Sequence, residues 1–215
     1  MMKFPFRLLS AYGFALLAAA AFGWLALQVG RGTISAFDSR IIAIVQGWEN
    51  PGLTRIMMFF SWIGKTGPAT LVFVILAFVL FFVLRHRKEL ILLTAAAGGA
   101  PLLNRVLKAA FQRERPNIHR IVEEVGYSFP SGHAMASFAM YGAIGYLLWR
   151  HVPSLAGRIL LIAVCSFMII MIGLSRIYLG VHYPSDVLGG YLASWVWLGL
   201  VIWLYERWVG KPVKA

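Results

Sequence analysis

Three short polar clusters carry the residue types that chemistry needs. The first is Lys108, six residues, then Arg115-Pro116. The second is Pro130-Ser131-Gly132-His133. The third is Ser175-Arg176, five residues, His182, three residues, Asp186. Lys108, Arg115 and Arg176 supply three positive charges. Guanidinium forks match phosphate oxygens in a bidentate manner, and a lysine acts as a point charge. Ser131 and Gly132 are expected at a helix start, where free N–H groups face an anion and glycine lets it approach closely. Together these residues suit a tetrahedral oxyanion such as phosphate.

The two histidines add reactivity. His182 precedes Asp186 by four residues, with Pro184 between, as in the opening turn of a helix. A carboxylate on one ring nitrogen fixes the tautomer and leaves the other nitrogen free to attack. His133, at the start of another helix, is placed to protonate a leaving oxygen. A nucleophile, an acid and an oxyanion clamp make a complete phosphomonoester-cleaving site.

The elements that position these residues are membrane helices. Of the 215 residues, 60% are hydrophobic and 13% charged, against about 25% charged in an ordinary soluble domain; the mean hydropathy is +0.76. A disordered chain, a coiled coil and a conventional soluble enzyme are excluded. Apolar runs at Leu8–Val29, Pro68–Leu84, Leu90–Leu107, Ala134–Trp149, Ile159–Leu174 and Val187–Tyr205 predict six spans of about 17–25 residues each. Their backbone groups must be paired within lipid, so the fold is all-α, a single unit over residues 1–215. Lys3 and Arg7 precede the first run, which is too long for a cleaved signal and is read as an uncleaved helix. Between spans one and two, Ile41, Ile42, Ile44, Val45 and Trp48, then Leu53, Ile56, Met57, Phe60 and Trp62, recur on a helical period. Arg40, Glu49 and Arg55 give them a polar side, so short amphipathic interfacial helices are expected. Cys165, the single cysteine, lies in an apolar run and is read as packing.

Charge refines the topology. The 20 basic residues against 8 acidic ones give +12. These charges sit in short gaps between apolar runs, so a membrane surface or an anionic substrate, rather than nucleic acid, is the expected partner. An even span number puts both termini on one side, with the 84–90 and 149–158 turns. Lys3, Arg7, Arg85, Arg87, Lys88, Arg150, Arg158, Arg207, Lys211 and Lys214 lie there with only Glu89 and Glu206, while the other side holds as many bases with six acids; because several of those bases belong to the three clusters, cytoplasmic termini and an extracytoplasmic site are expected. All three clusters fall on that opposite face. Each has a plainer reading: a basic loop at lipid headgroups, an interfacial histidine, a helix cap, a loop-to-helix entry. Those readings do not account for eleven specified positions, in order, on one membrane face.

This pattern resembles the type 2 phosphatidic acid phosphatase superfamily, whose three motifs match Lys108 to Asp186 without departure. The resemblance implies that His182 attacks phosphorus to form a phosphohistidine, Asp186 orients it, and His133 protonates the leaving group. It assigns Lys108, Arg115, Ser131, Gly132, Ser175 and Arg176 to the phosphate oxygens; Ser175 rests on the resemblance alone. No metal or other cofactor is expected, since the cations are side chains. Glu123 and Glu124 form the nearest acidic pair and are read as a solvated loop. Asn104 and Arg105 either support the pocket or face other helices, and His119 and Tyr127 are candidates for its rim. His86 and His151, on the other face, are given no part. Trp195, Trp197, Trp203 and Trp208 suit lipid contact.

A pocket at helix ends favours a lipid phosphate whose tail stays in the bilayer. The resemblance implies a lipid phosphatase of the inner or plasma membrane, acting on undecaprenyl pyrophosphate, phosphatidylglycerol phosphate or phosphatidic acid. A lipid phosphotransferase using the same phosphohistidine, a vanadium haloperoxidase sharing the oxyanion pocket, and a lipid or ion transporter are the alternatives. The oligomeric state has no sequence signal.

Overall fold

The computed structural model describes residues 5–117 and 119–208, with side chains from residue 13 onward; Lys3, Lys211, Lys214 and the side chain of Arg7 lie outside this set. Eight α-helices follow one another: α1 Pro5–Gly30, α2 Ser35–Gln46, α3 Pro51–Ile63, α4 Thr66–Phe78, α5 Arg87–Phe111, α6 Gly132–Trp149, α7 Leu155–Tyr178 and α8 Pro184–Trp208. A π-helical segment, Val79–Val83, continues α4. No strand occurs among the described residues.

Local chemistry sets the helix limits. Asn50 accepts from the Leu53 N–H at 2.9 Å, and Pro51 takes the first helical position of α3. Ser154 caps α7 in the same way through Gly157 at 3.1 Å. α5 stops at Gln112, which adopts a left-handed conformation with φ of 47°.

Each expected apolar run lies within or close to one of the long elements, and the helices run a few residues further into polar sequence. α1, α4 with its π segment, α5, α7 and α8 are long and apolar enough to cross a membrane. α6 falls outside that set. It carries His133, Ser137, Tyr141 and three glycines in 18 residues, and such residues lower its apolarity. It occupies the middle instead, packed on α5, α7 and α8, with α1 against α8 and α3 against α7. Apolar side chains such as Leu16, Leu71, Ile75, Leu160 and Ile170 face outward. The helices meet in an apolar core around α6, and an apolar rim facing outward suits lipid rather than water.

Polar bonds tie the central helices. Ser194 donates to the Met135 carbonyl at 2.8 Å, and Tyr191 donates to the Ile169 carbonyl at 2.7 Å. Trp197 turns inward from the expected lipid face, because its indole N–H donates to the Ala95 carbonyl at 3.2 Å. Trp195 and Trp208 are exposed, and Cys165 is buried between helices.

Candidate active site

The site forms where α5 ends, α6 begins, and α7 turns into α8. Lys108 lies in the last turn of α5. Ser131 caps α6, its hydroxyl accepting from the Ala134 N–H at 3.5 Å. Its own N–H donates to the Asp186 carbonyl at 3.0 Å, which stitches the α6 start to α8. That close approach needs glycine on α8. A Cβ on Gly190 would stand 2.8 Å from the Ser131 carbonyl oxygen, and one on Gly189 2.5 Å from the Phe129 ring. The first N–H groups of α6, at Gly132 and His133, remain at the open helix end.

His182 is buried in the α7–α8 turn. Its Nε2 lies 3.2 Å from a guanidinium nitrogen of Arg115. Arginine only donates, so Nε2 is the bare acceptor and Nδ1 carries the hydrogen. Nδ1 faces the Asp186 carboxylate at 3.3 Å. The same carboxylate oxygen accepts from the Tyr183 N–H at 2.9 Å. Burial, and then the charges of Arg115, Arg176 and Lys108, push the His182 pKa well below its ordinary 6.5. A neutral imidazole with an oriented, bare Nε2 is competent as a nucleophile toward phosphorus.

Asp186 is itself held. Arg113 donates to its other oxygen at 2.7 Å and to Ser185 Oγ at 2.8 Å. The second arm of the fork reaches Asp38 of α2 at 2.8 Å. Asp38 also accepts from the Ser185 N–H at 2.9 Å and hydroxyl at 2.6 Å. The Tyr183 ring lies 3.9 Å from the Arg113 guanidinium carbon. Asp38 and Asp186 are both buried, and one arginine balances them.

The cationic side is arranged differently. Arg176, 1% exposed, donates to Ser61 of α3 and to Glu124 at 2.6 Å, while its Nε has no partner among the described residues. The Glu124 carboxylate also lies 3.6 Å from Arg115. Glu124 therefore departs from the solvated-loop reading: the buried, under-neutralised Arg176 attracts it, while Glu123 faces solvent. Lys108 sits within electrostatic reach of Arg115, Glu124, Asp186 and Arg176. His133 has Arg176, His182, Lys108 and Lys65 as charge neighbours, and its Nε2 is buried without a partner.

Not every expected contact faces the pocket freely. Arg115 also donates to the carbonyls of Gly126, Val125 and Val181, so it braces the loop as well as the site. Ser175 donates its hydroxyl to the Ile172 carbonyl of its own helix at 2.6 Å. Asn104 supports the pocket from beneath, donating to the Pro130 carbonyl at 3.0 Å; Arg105 faces outward. His119 is exposed and pairs with Glu49 at 3.1 Å, and Tyr127 is exposed. Sequence reasoning missed Asp38, Ser61, Arg113, Glu124 and Ser185. Only Asp38 gave a signal, an acid on the apolar-periodic stretch that becomes α2.

A cleft of about 150 Å³ leads to Arg176, lined among others by Met58, Ser61, Trp62, Lys65 and Glu124. Met58 and Trp62 are exposed beside it.

Fold and site together define a multi-pass membrane phosphatase. The profile of the PAP2 superfamily matches residues 88–209, and the chain belongs to that family. It is 32% identical over 210 residues to phosphatidylglycerophosphatase B of Bacillus subtilis (strain 168), covering 97% of each chain. Its fold superimposes with a TM-score of 0.83 on the crystal structure of the first transmembrane PAP2 type phosphatidylglycerolphosphate phosphatase from Bacillus subtilis, at 29% identity over 90% of this chain and 96% of the other. A putative undecaprenyl-diphosphatase of Escherichia coli (strain K12) is 34% identical over 114 residues, 45% of this chain and 51% of that protein.

Proposed function

We propose that this chain is a lipid phosphatase that cleaves a terminal phosphate through a phosphohistidine at His182. The observation that carries the reading is the aligned set Arg115–His182–Asp186, which holds Nδ1 and keeps Nε2 unprotonated, its lone pair accepting from Arg115 until the phosphate takes up that guanidinium. Nε2 attacks phosphorus as the ester or anhydride oxygen leaves, and His133, protonated once the phosphate's negative charge offsets the cations around it, gives that oxygen its proton. His133 then takes a proton from water, the hydroxide attacks phosphorus, and the N–P bond breaks. Lys108, Arg115, Arg176 and the Gly132 and His133 N–H groups hold the phosphate oxygens, with Ser131 shaping the helix start. Ser175 acts by positioning Arg176. The phosphate takes over the place of the Glu124 carboxylate, and charge neutralisation by these side chains needs no metal in the reaction.

The whole chain works as one unit of six spans, with α6 as the sixth and α2 and α3 lying at the interface over the site. The termini are cytoplasmic and the site extracytoplasmic, in keeping with the basic turns at 84–90 and 149–158. The cleft beside Met58 and Trp62 suits a headgroup entering sideways while its tail stays in lipid. Lys65 at that cleft supplies a cation beyond the three motifs. It favours substrates with a second phosphate, such as undecaprenyl pyrophosphate or phosphatidylglycerol phosphate, over phosphatidic acid. The names of the relatives point the same way.

The test is phosphate release by purified protein, with excess EDTA, from those three lipids in parallel. Full activity should persist in EDTA and fall by about 10⁴-fold or more in His182→Ala. Lys65→Ala should slow the two substrates bearing two phosphates by about 10–100-fold, as loss of a charged contact does, and leave phosphatidic acid unchanged. Activity that requires magnesium, or survives in His182→Ala, overturns the mechanism. Transfer to an acceptor alcohol without release to water would make the chain a phosphotransferase.

A further inference from the structure

His86, Glu89 and His151 meet at the end of the molecule away from the active site. His86 precedes α5, whose far end carries Lys108, about 33 Å away at 1.5 Å per residue. His151 follows α6, whose start carries His133. Two turns distant in sequence are thus brought together by three side chains with metal-binding atoms.

Both histidines approach the same carboxylate, one at each oxygen, and a small side-chain adjustment would bring three ligand atoms around one ion. His86 Nδ1 lies 3.4 Å from Glu89 Oε2, and His151 Nε2 lies 3.5 Å from Glu89 Oε1. One potential ligand atom from each residue falls within 4.8 Å of the others. Ligands 2.0–2.2 Å from a tetrahedral zinc are separated by about 3.3–3.5 Å along each edge. The two imidazole rings are tilted by 35° with centroids 4.8 Å apart, one on each side of the carboxylate.

Hydrogen bonding does not account for the arrangement. His86 Nδ1 and Glu89 Oε2 are buried, face each other, and have no hydrogen-bond partner among the described residues. Orphaned buried polar atoms are rare and call for an occupant. Three of the basic residues nearby are engaged elsewhere. Arg87 lies over the Phe81 ring, Arg150 pairs with Glu206, and Arg158 donates to the Val152 carbonyl. Glu89 is left as the charge facing both histidines.

We propose that His86, Glu89 and His151 bind a divalent transition metal, of which zinc fits the ligand set of two imidazoles and one carboxylate, with a water in the fourth position. The ion clips the start of α5 to the α6–α7 turn. It lies a helix length from His182, so it braces the fold without entering the reaction.

The experiment uses His133→Ala/His182→Ala protein, so that active-site histidines cannot supply the ligands. After metal stripping and zinc addition, one zinc per chain should remain on gel filtration. The thermal midpoint should rise by roughly 5 °C at saturating zinc. Cobalt should give the visible absorption of a tetrahedral ion. His151→Ala and Glu89→Gln should each weaken zinc binding on the order of 100-fold or more and remove the midpoint shift. In the active enzyme, the same two changes should leave phosphate release at 25 °C unaltered. No stoichiometric zinc, or zinc equally bound by the variants, overturns the proposal. Because EDTA would empty this site too, loss of stability in EDTA with retained turnover separates it from a metal-dependent reaction.

Discussion

The two halves of the active site are built on opposite plans. On the His182 side every buried charge has a fixed partner: Asp186 with Arg113, Arg113 with Asp38, and His182 with both Asp186 and Arg115. On the Arg176 side the cation is held by a carboxylate from a loop, and two polar atoms, Arg176 Nε and His133 Nε2, have no partner among the described residues. The first half is finished before substrate arrives. The second half is waiting for an anion. Preorganisation is worth most at the attacking atom, where misplacement by 1 Å costs about 10²-fold. A phosphate clamp must instead exchange its ligand on every turnover.

The contrast can be broken most severely at Arg113. Arg113→Ala leaves Asp38 and Asp186 as two buried carboxylates without their shared cation, and is expected to lower kcat by about 100-fold with little change in KM. Asp38→Asn, which keeps the fork geometry, should cost about 10-fold. The kcat and KM split in a detergent assay checks both. A rise in KM alone would place Arg113 in the clamp rather than behind the nucleophile.

A smaller effect comes from pH. His182 is held neutral, well below its ordinary 6.5. The acid limb of kcat/KM therefore belongs below pH 6.5. Burial is the first cause and Arg115 the second, so Arg115→Gln should move that limb upward, toward 6.5, whatever it does to the maximal rate. The same shift acts on stability. Above pH 6.5 His182 is neutral folded or unfolded. As pH falls from 6.5 toward the lower folded value, only the unfolded chain gains the proton, so stability declines across that window. An acid limb above 6.5 would contradict the burial argument.

The mildest change is at Glu124. Glu124→Gln removes the anion competing for Arg176 and should lower KM about 2- to 5-fold with kcat nearly constant, in line with a partly exposed ion pair. An unchanged or higher KM would mean that the carboxylate stays in place while substrate binds.

The sequence marks some of this well and some not at all. Apolar runs outline the long helices because lipid permits few polar residues, and the ends overshoot because hydrogen bonding continues past the apolar stretch. The three motifs lie within residues 108–186, and Lys108, Arg115, His133, Arg176, His182 and Asp186 come within electrostatic reach of one another. What supports them comes from elsewhere. Asp38 is 75 residues from Arg113 in the chain, and no local period announces such a pairing. Glu123 and Glu124 are adjacent and chemically alike, so only the fold decides which one meets Arg176. α6 reads like its neighbours as an apolar run, yet the structure puts it at the centre of the bundle, packed on α5, α7 and α8.

That position of α6 bears on how the protein is made. A helix with His133 in its first turn and three glycines along it holds lipid less firmly by itself than its longer neighbours do. Its contacts are complete only once α5, α7 and α8 enclose it. During synthesis α6 emerges before α7 and α8, so the reactive centre is finished only when the last helix arrives, and chains truncated before α8 should be recognised as unfinished by the cell's quality control.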